Sequence, residues 1–86
     1  MSLQELNARQ LKDLGVRFGL QVVSSSGAAA KSGIMQGDVI VGIGSQALTS
    51  MNQLKQRLDA LKPNETIPLR VLRNGQSLFL ILKAPE

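Results

Sequence analysis

Ser26 to Leu48 reads "SGAAAKSGIMQGDVIVGIGSQAL". This stretch decides the fold. Ala28-Ala29-Ala30-Lys31 predicts one or two helical turns, ended by Gly33. Gly37-Asp38 forms a tight turn, and Val39-Ile40-Val41-Gly42-Ile43 is an apolar run short enough to be a buried strand. Gly44-Ser45-Gln46 turns the chain again into a brief segment ending at Leu48.

After that stretch comes the clearest helix. Ser50 and Gln53 have capping-box spacing, and Met51, Leu54, Leu58 and Leu61 follow at helical intervals. Pro63 biases Lys62 away from helical geometry, so the helix spans about 50–61. Thr66–Arg73 and Gln76–Lys83 read as two strands joined at Asn74-Gly75, a pair suited to the two positive φ angles of a type I′ turn. Pro68 lacks an N–H and belongs at an edge or a bulge.

Before that stretch lie a serine-rich loop, Ser24–Ser26, and the segment "VRFGLQVV", Val16–Val23. Phe18–Val23 reads as a strand. Gly19 within it marks a bulge or a close approach by another backbone. Further upstream, Asn7 and Gln10 form a capping box for a short helix with Leu11 and Leu14 on its apolar side, stopped by Gly15. Leu3-Gln4-Glu5-Leu6 reads as a short strand entering the fold.

With 86 residues the chain is one small domain, and a domain of this size buries only roughly 60% of the surface its unfolded form exposes. The apolar share, 43%, supplies a core that is almost wholly aliphatic, with two Phe and no Trp or Tyr. A helix with one apolar stripe must bury it against a sheet. The predicted fold is therefore α+β and mainly β: a partly open barrel or sandwich of five or six short strands, one main helix and one or two short ones. Ala84-Pro85-Glu86 is expected as a tail.

Composition removes whole classes of function. There is no His and no Cys, so no Ser-His-Asp or Cys-His machinery, no imidazole or thiolate metal site and no disulfide is available. The six acidic residues are scattered, so the chain is not an enzyme by itself, and no cofactor is expected. The net charge of +4 comes from ten basic residues spread from Arg9 to Lys83, without a run and without aromatic platforms. No nucleic-acid partner is expected. No apolar run approaches the roughly 20 residues a membrane-spanning helix needs, and no apolar leader stands at the N-terminus.

The order of these parts resembles a PDZ domain, of the kind found in bacterial HtrA/Deg-type serine proteases. The family pattern "GSPAAxAGLxxGDVIxxINGxxV" aligns with Ser26–Leu48 without a gap; its most specific pieces are Gly37–Ile40 and the AxxxGI of Ala29–Ile34. "LRVLRNGQSLFLILKA" is similar to the family's closing hairpin. Gly27-Ala28 and Gly44-Ser45 depart from the usual Ser-Pro and Asn-Gly, both in turns. The resemblance implies a PDZ core over 17–83, with 3–16 as a strand and helix extension.

It also implies a site. Arg17, Phe18, Gly19 and Leu20 correspond to the family's carboxylate-binding loop, where backbone N–H groups converge on a peptide terminus. A ligand would add as an antiparallel strand along Gln21, Val22 and Val23, between that strand and the helix. Met51, Lys55 and Leu58, at i, i+4 and i+7, would form the helix wall. Met51 stands where many eukaryotic members have a histidine, so an apolar-x-apolar terminus is expected. The implied partners are protein C-termini or unfolded segments, and other domains or protomers of a parent protease in the periplasm, with this chain as its C-terminal PDZ domain. Alternatives are an assembly module with an unused groove, or a PDZ domain of a type II secretion or intramembrane-protease protein.

Overall fold

The computed structural model describes residues 2–83 of the chain. The expected tail Ala84-Pro85-Glu86 lies outside the described residues. In chain order the elements are β1 (Ser2–Glu5), α1 (Ala8–Leu14), β2 (Leu20–Ser24), α2 (Gly27–Lys31), β3 (Val39–Ile43), β4 (Gln46–Ala47), α3 (Met51–Asp59), β5 (Thr66–Arg73) and β6 (Gln76–Lys83). All six strands join one open antiparallel sheet of order β1-β2-β3-β5-β6, with β4 paired to β3. The mainly β class and the single main helix agree with the sequence; the strands make one open sheet.

The β5–β6 hairpin anchors it. Asn74 and Gly75 both take positive φ, 53° and 79°, as a type I′ turn demands. The register then runs unbroken from Arg73↔Gln76 to Thr66↔Lys83. Alternation along β5 turns Ile67, Leu69 and Val71 inward, where all three are buried, and Pro68 and Arg70 outward. Pro68 sits inside a strand paired on both sides, yet beyond the β3 register. Its carbonyl accepts the Gly44 N–H at 2.9 Å, so its missing donor falls on the same side, where β3 is already turning away.

Leu20 and Val22 of β2, Ile40 of β3, Leu54 of α3 and Leu69 and Val71 of β5 are fully enclosed. Leu54 is the buried residue of α3, with Met51 and Leu58 packed against the same cluster. Ser50 caps α3 through its hydroxyl, which accepts the Gln53 N–H at 3.2 Å. The Gln53 side chain reaches one residue further back than a capping box requires, accepting the Thr49 N–H at 2.8 Å. The helix closes at Asp59 with Ala60 as C-cap, two residues short of the expected end.

Asn7 and Gln10 form both bonds of the expected capping box, and Gly15 ends α1 at φ 71°. No residue of α1 is buried. It works as a connector that returns β1 to the edge of β2.

A groove between the β1 edge and helix α3

Strand order fixes where a ligand strand can add. β2 is paired on both edges over its first half: Leu20 and Gln21 face Ile40 and Val39 of β3, while Glu5, Gln4 and Leu3 of β1 face Leu20, Gln21 and Val22. The edge assigned from sequence to a ligand, along Gln21, Val22 and Val23, is thus taken by the chain's own β1. Leu20 and Val22 have no exposed surface, and Val23 alone of that strand's apolar residues stands open. The free edge lies one strand further out, on β1.

That edge faces the first turn of α3. Between them runs a groove of about 620 Å³, lined by Leu3, Gln4 and Glu5 on one side and Ser50, Met51 and Asn52 on the other. Leu3 and Met51 also pack against the core, so the floor is apolar and fixed, while Gln4 and Glu5 stand exposed. A strand with one unpaired edge offers alternating N–H and C=O groups that any extended chain can satisfy. Of the three helix residues named from sequence, Met51 lines this groove. Lys55 is exposed one turn on, and Leu58 is half-buried against the core.

The residues expected to bind carboxylate stand elsewhere. Gly19 is buried, and a β-carbon built on it would lie 2.8 Å from Val39 Cγ1 and 3.1 Å from Leu6 Cδ1; its carbonyl accepts the Leu6 N–H at 3.2 Å. What approaches this backbone closely is the chain itself. Leu20 is core. Arg17 and Phe18 line a separate pocket of about 200 Å³ with no α3 residue in its walls. The four loop residues and the α3 wall therefore do not converge on one site.

The groove-lining residues that the sequence does not point to are Leu3, Gln4 and Glu5. The signal that could have found them is the capping box at Asn7. A helix starting there, closed by Gly15, folds the preceding segment back beside β2, so Leu3–Leu6 becomes a sheet edge.

The one ion pair among the described residues is structural. Asp38, 2% exposed, accepts from Arg73 Nε at 2.8 Å and Nη2 at 2.7 Å, and from the Met35 N–H at 3.0 Å. Arg73 Nη2 also donates to the Gly33 carbonyl at 2.8 Å. The guanidinium beside it, aided by the Met35 N–H, holds the Asp38 carboxyl below its ordinary value of 3.8 against the opposing effect of burial. The pair pins the Gly33–Asp38 turn to the end of the β5–β6 hairpin. Among the described residues no three His, Cys, Asp or Glu side chains gather as a metal site, and no helix is long and apolar enough to cross a membrane.

Comparison with known proteins agrees with the architecture. The family described as PDZ domain matches residues 5–83. A protein of Halomonas elongata named "Probable periplasmic serine endoprotease DegP-like" is 37% identical over 84 residues, covering 98% of this chain and 17% of that protein. Its namesake in Pseudomonas savastanoi pv. phaseolicola is 33% identical over 87 residues, covering 100% of this chain and 18% of its own length. The chain thus spans under a fifth of the curated relatives it matches. Among solved structures, the HtrA-type protease AlgW with decapeptide aligns at a TM-score of 0.78 and 27% identity, over 98% of this chain and 27% of that one. AlgW with tripeptide aligns at 0.78 and 26%, over 98% and 29%. With the family matching nearly the whole described chain, and relatives and solved neighbours alike drawn from such proteases, the chain belongs to the PDZ domain family, in its HtrA/DegP-type branch.

Proposed function

We propose that this chain is a peptide-binding module that captures extended, apolar protein segments by strand addition on the free edge of β1. The observation that carries this reading is the groove in which that edge faces Met51 across about 620 Å³. Main-chain bonds to β1 would give affinity without regard to sequence, and the space between Leu3 and Met51 would favour an apolar side chain. Single-strand contacts offer few anchors, so affinity for one short peptide is roughly micromolar to tens of micromolar. Relatives named as periplasmic serine endoproteases, and AlgW structures holding peptides, support a place in an HtrA-like periplasmic protease, where the module would recognise substrates or regulate the protease. Within such a parent the chain would be the C-terminal PDZ domain, its domain running over 1–86.

An NMR titration tests it, using a peptide ending in Val-x-Leu with a free or an amidated terminus. The expected result is shifts centred on Leu3–Glu5 and Ser50–Asn52 with both peptides, since Arg17–Leu20 does not border this groove. Shifts at Arg17–Leu20 that vanish on amidation would instead favour the carboxylate loop. A second reading, an assembly module without a peptide ligand, is favoured by one observation: β1 already fills the edge of β2. No shifts with either peptide would select it.

A further inference from the structure

The pocket that holds Arg17 and Phe18 lies apart from the β1–α3 groove and has a chemistry of its own. Val16, Phe18, Val41 and Ala47 line it together with Arg17 and Arg70, around a space of about 200 Å³. That is room for one apolar side chain beside an anion. Neither arginine has a carboxylate partner among the described residues, where Arg73–Asp38 is the one ion pair.

Arg70 is also held in place. Its guanidinium carbon lies 5.3 Å from the centre of the Phe79 ring, the residue directly opposite it on β6. The ring holds the guanidinium, whose N–H groups make no hydrogen bond to the described residues and are left for a planar carboxylate. The same outward face continues as an apolar strip. Phe79 is 60% and Ile81 54% exposed, and Ile81 is paired with outward-facing Pro68. A basic, apolar-walled pocket running into such a strip fits an extended polypeptide better than a compact small molecule.

We propose that this outer face is a second docking site, for a protein segment in which an acidic residue adjoins a large apolar one. The apolar side chain enters between Val16, Phe18 and Ala47, and the carboxylate bridges Arg17 and Arg70. The rest of the segment runs over Phe79 and Ile81. The site is independent of the groove at β1 and does not rest on that groove binding peptide.

The test uses a nine-residue peptide, acetylated and amidated, with a central Leu-Asp pair, and its Leu-Asn counterpart, titrated into the chain at low salt. Shifts are expected at Val16, Arg17, Val41, Ala47 and Arg70, with clearly weaker binding of the Asn peptide. Arg17→Gln and Arg70→Gln are each expected to weaken binding about threefold, and the pair roughly tenfold, in the range of exposed ion pairs. Both arginines are solvent-exposed, so Arg17→Gln should melt like the parent and Arg70→Gln only slightly below it, having lost its contact with Phe79. Ala47→Phe fills the pocket and should abolish binding, while Met51→Glu, in the other groove, should leave it unchanged. Equal affinity for the Asp and Asn peptides, shifts confined to Leu3–Glu5 and Met51, undiminished binding by the double Gln variant, or no binding at all would each overturn the proposal.

Discussion

Replacing Asp38 by Asn gives a direct test of how the turn before β3 is held. The carboxylate accepts three bonds: Arg73 Nε on Oδ1, and Arg73 Nη2 and the Met35 N–H on Oδ2. Asn is nearly the same shape but has one acceptor oxygen. Set in place of Oδ2, that oxygen keeps two of the bonds without their charge. The amide nitrogen then faces the Nε–H donor. Hydrogen bonds to charged groups contribute about 1.5–3 kcal/mol each, and an unmet buried donor costs about 1–3 kcal/mol. Arg73 keeps 31% of its side chain in water, so solvent relieves part of this loss. The expected cost is about 2 kcal/mol at pH 7, equivalent to a fall of roughly 8–16 °C in melting temperature for a domain of this size. The pH dependence follows from the sign of the shift. The folded pKa lies below the ordinary 3.8, so the stabilisation is complete above that value and is lost as pH falls through the folded pKa. Thermal melts of parent and variant from pH 7 to pH 2.5 should show a constant gap down to about pH 5, closing below about pH 4. A gap under about 0.5 kcal/mol at neutral pH, or one that does not shrink in acid, would refute this account of the turn.

Two glycines should fail for opposite reasons. Gly19→Ala has no room, with Val39 and Leu6 at 2.8 and 3.1 Å, and should lose about 1–3 kcal/mol by overpacking in urea titration. Gly75→Ala has open space but a φ of 79°, so its cost is backbone strain of about 1–2 kcal/mol. Leu54→Ala, at the one buried position of α3, should cost about 2–5 kcal/mol. Met51→Glu places a charge at the groove wall and should weaken an apolar peptide about tenfold, or 1.4 kcal/mol, by calorimetry, and it should also lower the melting temperature, since Met51 is half-buried against the core.

Local chemistry was legible wherever it was self-contained. Asn74-Gly75 names its turn because few residues accept two positive φ angles in succession. Asn7 with Gln10 names a helix start because both capping partners lie within four residues. The alternation of β5 and β6 follows from the same hairpin register, which tells the inward Ile67, Leu69 and Val71 from the outward Pro68 and Arg70. The spacing of Met51, Leu54, Leu58 and Leu61 gave α3 and its buried face, although the helix stops two residues early at Asp59.

Partner choice between strands is not local, and there the structure departs from what the sequence predicts: β1 pairs with β2. Phe18–Val23 looks like an edge strand when its neighbours are unknown, and Gly19 within it looks like a device for bringing in a foreign backbone. Four residues at the other end of α1 change both conclusions. Leu3 opposite Val22 and Glu5 opposite Leu20 close the β2 edge, and Leu6 closes over Gly19. The seven-residue helix α1 lets this happen at little entropic cost, since a connection of that length closes cheaply and its ends are fixed by the Asn7–Gln10 capping box and the left-handed Gly15. Shifting the edge outward by one strand keeps Met51 from the expected helix wall and replaces the strand opposite it: Met51 now faces Leu3 and Gln4 instead of Leu20 and Gln21. It also leaves Arg17 and Phe18 apart from the groove, lining a pocket with Arg70. One misplaced strand therefore accounts for both differences, the groove bordered by Glu5 and the second pocket beneath Arg17.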